Sequence, residues 1–183
     1  MAIDCESGSH NPNLLGRGSS HNYTRALFQM LTDREIIKLA NDAYAEFLTN
    51  FLIECDFELL SLNKFVSFLE KTVPQDPMKD KSLKTIKDIH IPVLVVYGEV
   101  NKVYFCKNIL LKMIKRLSKE KQRLFIMALT LHELYHILNN SQNRDLNLYS
   151  FVRSEKRANT EFREDYPDLA KVLDEVKKRT KLK

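Results

Sequence analysis

The sequence predicts an α+β fold, predominantly helical, in which a small β-sheet packs on one long helix carrying "HELYH". Three observations predict it. Apolar residues recur at helical spacing over most of the chain, one stretch changes to β-branched and aromatic character, and a long apolar helix lies downstream of that stretch. At 183 residues, 44% apolar and 29% charged, the chain suits one domain with a sizeable core.

Residues 1 to 22 hold three of the four glycines among Ser, Asn and His, and read as a flexible tail. This start lacks the basic and apolar regions of a secretory signal. Residues 23–183 are then read as the single domain. Its N-terminal helices span 32–71. "TDRE" forms a capping box with Thr32 as N-cap and Glu35 reaching back, and the apolar periodicity continues as far as Leu52. A second helix, from Ser61 to Lys71, presents Phe65, Phe68 and Leu69 to the core. Residues 72–89, with Pro74 and Pro77, read as a loop.

"IPVLVVYGEVNKVYF" places strands at about 91–106, Val93 to Tyr97 and Val103 to Phe105, paired as a hairpin. A helix near Lys107 to Arg116 leads to the long helix, about 119–140, which Ser118 starts and the asparagines from Asn139 to Asn143 end. A further helix runs over about 152–162. The last runs over about 167–180, with Asp165 as cap and Pro167 as first residue.

The chemistry is concentrated in "ALTLHELYHILNN". At about 100 degrees per residue, His136 lies about 40 degrees from His132 and one turn on, so both imidazoles converge. Glu133 flanks them and Leu134 faces the opposite way, where a core residue belongs. This is the HExxH arrangement: two imidazole ligands for Zn2+ and a carboxylate, Glu133, that serves as catalytic base. Chance produces the pattern in roughly one chain of this length in a hundred or more, so context matters. The context is a buried helix, where two imidazoles and a carboxylate are costly without a metal or partner.

A third ligand is expected downstream, where Asp145, Glu155, Glu161, Glu164 and Asp165 are available and histidine is not. Glu155 is favoured. It lies on a helix that would hold it rigidly, and Asn159 stands one turn on, able to accept a hydrogen bond from a ligand histidine.

"HELYH", 18 intervening residues and "SEKRAN" resemble the HExxH-x18-E arrangement of the gluzincin metallopeptidases. Glu155, Ala158, Asn159 and Phe162 are also similar to the E-x-x-A-N-x-F block of the small intracellular ImmA/IrrE-type metallopeptidases, although Phe162 stands one place later. The resemblance covers about residues 90 to 165. It implies a zincin-like domain with His132, His136 and Glu155 as metal ligands and Glu133 as the catalytic residue. The Gly-x-Met-Glu-Asn type strand of the aminopeptidase branch is absent, which favours an endopeptidase.

The expected function is therefore zinc-dependent hydrolysis of a peptide bond in a protein or peptide substrate, such as an intracellular regulator. Tyr135, His90, Tyr97, Tyr104 and Tyr149 are candidate oxyanion donors. The segment Asn101 to Leu131 carries eight basic residues against Glu120, about +7. With the "KKRTKLK" tail this gives the competing reading, a zinc-containing regulatory or nucleic-acid-binding protein without peptidase activity. Three scattered cysteines suggest neither disulfides nor a Cys-type zinc cluster, and place the protein in the reducing cytoplasm. No apolar run reaches the roughly 20 residues of a membrane span, so no membrane association is expected.

Overall fold

The computed structural model describes residues 29–72, 92–141 and 148–181. The expected tail at 1–22 and most of the loop at 72–89 lie outside the described residues. The architecture is α+β and mostly helical around a three-stranded sheet.

Helix α1 (Asp33–Phe47) begins at the predicted capping box: Thr32 Oγ1 accepts from the Glu35 N–H, and the Glu35 carboxylate accepts from the Thr32 N–H at 2.8 Å. The helix ends five residues before the predicted Leu52. Thr49 and Asn50 donate backbone bonds three residues back, tightening the last turn, and Leu52 stands 96% exposed. Strand β1 (Cys55–Leu60) follows, where the apolar pattern gave no strand. Its register comes from a parallel pairing with residues 46 places later, so no local signal announces it.

Helix α2 (Leu62–Thr72), strand β2 (Val93–Val96), strand β3 (Asn101–Cys106) and helix α3 (Lys107–Ile114) come next. The predicted hairpin is present, with β2 antiparallel to β3 and Val93 opposite Phe105. The sheet order is β1-β3-β2, which puts β3 in the centre. Side chains alternate between its faces. Val93, Val103 and Phe105 join the main core, whereas Tyr104 and Cys106 join Leu60 and Phe65 in a smaller cluster beneath α2.

The long helix α4 (Lys119–Ser141) packs against α1, α5 (Leu148–Asp165) and α6 (Pro167–Lys181). It is apolar on several faces, with Phe125, Ile126, Leu129, Leu131, Leu134 and Ile137 all buried, as befits a helix enclosed by neighbours. Ser118 Oγ accepts from the Lys121 N–H at its start. Buried Gln122 accepts from the Leu31 N–H and donates to the Leu117 carbonyl, tying the chain before α1 to this helix. Pro167 begins α6 as expected, but Asp165 ends α5 rather than capping α6, and Tyr166 alone separates the two helices. Among the described residues, no helix is long and apolar enough to cross a membrane.

Candidate metal centre

His132 and His136 occupy the face of α4 that meets α5, at 3% and 6% exposure. Their rings lie 4.7 Å apart at 80°, one turn from each other as the spacing requires. Glu155, near the middle of α5, reaches this pair. Its Oε2 accepts from His136 Nε2 at 2.9 Å, and its Oε1 lies 3.9 Å from His132 Nε2. One ligand atom from each of the three residues falls within 4.8 Å of the others. Tetrahedral zinc, with bonds of about 2.0–2.2 Å, holds its ligand atoms roughly 3.4 Å apart. Side-chain adjustments of about an ångström therefore bring the set to that geometry, and two imidazoles with one carboxylate are a donor set that zinc accepts.

Asn159, one turn beyond Glu155, bridges the group. Its Nδ2 donates to Glu155 Oε1 and to the Glu155 carbonyl, both at 2.8 Å, while its Oδ1 lies 3.2 Å from His132 Nε2. The sequence expectation that Asn159 would accept from a ligand histidine agrees with this contact. Glu133 Oε1 stands 3.2 Å from His132 Nδ1, on the flank of the pair.

The electrostatics follow from these contacts. Burial works against a charged His136, but the bond to Glu155 and the negative charges of Glu133 and Glu155 outweigh it and raise the ring's pKa above 6.5. The His136 bond holds the Glu155 carboxyl down at about 2, against some opposition from burial, and Asn159 adds to the lowering.

Two of the other acidic candidates have different partners. Asp165 accepts from the Tyr135 hydroxyl, and Glu161 accepts from Asn139 Nδ2 at 2.9 Å and pairs with Arg157 at 2.8 Å. Asp145 lies outside the described residues. Tyr135 is not placed to donate to an oxyanion beside the histidines. Its ring packs edge-on against Phe47 at 5.1 Å, its hydroxyl is engaged by Asp165, and burial followed by Asp165 pushes its pKa up. Tyr104 lies against Phe68 on the sheet face beneath α2, away from α4. Tyr97 immediately follows β2 at 38% exposure. His90 and the side chain of Tyr149 lie outside the described residues.

The Tyr135 and Asn139 contacts were not foreseen from sequence. A signal existed for Asn139, which falls about 20 degrees from His132 on the same helical stripe. The basic segment is also less basic in three dimensions. Lys107 pairs with Asp33, Lys119 and Arg123 with Glu35, and Lys121 with Glu175, all acids from outside the segment.

No family model, curated protein or solved structure matches this chain.

Proposed function

We propose that this chain is a zinc-dependent metallopeptidase, an endopeptidase that hydrolyses a peptide bond in a protein or peptide substrate. The observation that carries the reading is the convergence of His132, His136 and Glu155 from two helices, with Glu133 beside them. The gluzincin-like and ImmA/IrrE-like wording of "HELYH" and "SEKRAN" supports the same reading. Zinc bound there would supply a Lewis acid that polarises a carbonyl and acidifies water. Glu133 would take the proton of the attacking water and return it to the leaving amine. Asn159 Nδ2 would hold Glu155 in its orientation, while its contact to His132 Nε2 belongs to the metal-free site, since that nitrogen would turn its lone pair to the metal. A cytoplasmic setting fits an intracellular substrate.

The sheet offers a place for that substrate. The β1 edge is engaged at its start, where the Tyr44 hydroxyl donates to the Ile53 carbonyl at 2.7 Å and accepts from the Cys55 N–H. Strand β2 is the other edge, with β3 as its one strand neighbour among the described residues. An extended peptide would add to β2 through backbone bonds. The ion pairs that tie four of the eight basic residues to three carboxylates weaken the competing reading as a nucleic-acid binder.

Metal analysis and one variant test the proposal. The purified chain should carry near-stoichiometric zinc, and Glu133→Ala should keep fold and metal while cleavage of an unfolded protein substrate drops by about 10²–10⁴-fold. Zinc well below one equivalent would sink the reading, and undiminished cleavage would remove Glu133 from the mechanism.

A further inference from the structure

Helices α4 and α5 are joined by two rails of polar contact. On the first, His132 meets Asn159 and, one turn on, His136 donates to Glu155. On the second, the Tyr135 hydroxyl donates to Asp165 and, one turn on, Asn139 Nδ2 donates to Glu161 Oε2. Each rail advances four residues along α4 while retreating four along α5. One antiparallel register is thus held twice. The first rail contains the candidate metal ligands. The second contains none of them, and the reaction proposed above makes no use of it.

The second rail is costly in its setting. Tyr135 is 1% exposed and Asn139 3%, and among the described residues Asn139 Oδ1 has no hydrogen-bond partner. An apolar side chain of similar size at 139 would avoid that desolvation. Directional bonds in a buried seam are better suited to selecting one alignment than to adding stability. This seam needs such selection, because over the described side chains α5 buries only Ala158 and Phe162 as apolar knobs. A slide of α5 by one turn, about 5.4 Å, would bring Asn159 or Phe151 to the place of Glu155. Neither supplies a carboxylate, and the third ligand would be lost.

We propose that Tyr135 and Asn139 are positioning residues, whose bonds to Asp165 and Glu161 set the register that delivers Glu155 to the two histidines. The inference rests on the reading of this site as a metal centre. Tyr135 thereby gains a role inside the HExxH segment that is mechanical, exerted on the neighbouring helix.

The test measures zinc and cobalt affinity by competition titration for the native chain and for Tyr135→Phe, Asn139→Leu, Glu161→Gln and Glu155→Gln. Metal-free helicity by circular dichroism checks that each variant folds. Tyr135→Phe and Asn139→Leu should keep native helicity, bind both metals at least about tenfold more weakly, and alter the visible spectrum of bound cobalt as the third ligand shifts. Glu161→Gln, whose amide oxygen still accepts from Asn139, should retain native affinity and spectrum. Native affinity with an unchanged cobalt spectrum in both rail variants overturns the inference, as does an affinity loss that only follows lost helicity. If native binding vanishes in Glu155→Gln yet both rail variants match the native chain, this inference fails alone. A native chain that binds neither metal overturns the metal-centre reading and the inference with it.

Discussion

Replacing Glu155 with Gln removes one charge and keeps the side-chain shape, so it separates the structural role of this residue from its proposed role as a metal ligand. Without metal the cost is small. The Glu155 side chain is 43% exposed, so solvent screens its bond to His136, and losing the charge should cost about 1 kcal/mol or less. With metal the effect should be much larger. Partners of metal ligands typically cost 10–100-fold in affinity when lost, so losing a ligand itself should cost about 100-fold or more. At free zinc equal to about 100 times the native dissociation constant, binding stabilises the native chain by about 2.7 kcal/mol. A variant bound about 100-fold more weakly gains only about 0.4 kcal/mol. For a chain of this size each kcal/mol moves the melting temperature by about 2–4 °C. Zinc should therefore raise the native melting temperature by roughly 5–11 °C and that of Glu155→Gln by roughly 1–2 °C. Differential scanning calorimetry in a zinc buffer, with a chelated control for each chain, measures both. Equal zinc-induced shifts in the two proteins would refute the assignment of Glu155 as a ligand.

The remaining expectations concern pH and packing. In metal-free protein, the contribution of His136 is fully present below its unfolded pKa of about 6.5 and fades as pH rises through the raised folded value. The contribution of Glu155 is present above its ordinary 4.5 and fades as pH falls toward about 2. Stability from this pair should thus peak between about 4.5 and 6.5, and urea titrations that show no excess there over Glu155→Gln would contradict the pairing. Zinc affinity should instead rise with pH through the His136 titration, because the metal requires the neutral ring; a flat isothermal-titration profile would argue against His136 as a ligand. Phe162→Ala empties a site that is 1% exposed and lies 5.8 Å from the His132 ring, and should cost about 3–5 kcal/mol in urea denaturation. Gln122→Leu strands the buried Leu31 N–H and should cost about 1–3 kcal/mol, so a neutral result would show that the bond is replaced.

The sequence by itself determined the features whose causes are local. The "TDRE" cap, the hairpin of β2 and β3 and the convergence of His132 with His136 each depend on residues a few places apart, where helix and strand periods fix geometry directly. The place of Glu155 beside the histidines was legible too: of five downstream carboxylates it is favoured because it lies on a helix with Asn159 one turn on. Tertiary structure decided the rest. Strand β1 exists because β3 pairs with it in parallel across 46 residues, and its own side chains announce nothing of that partner. The positive run in α3 and α4 is partly neutralised by Asp33, Glu35 and Glu175, whose positions no local count reveals. Tyr135 follows the same logic. Its helical phase put it beside the histidines, but the packing of Phe47 and the carboxylate of Asp165 turned it to the neighbouring helix. Which atoms share a helix face is set by the chain's own period, whereas which face meets which partner is set only when distant segments pack.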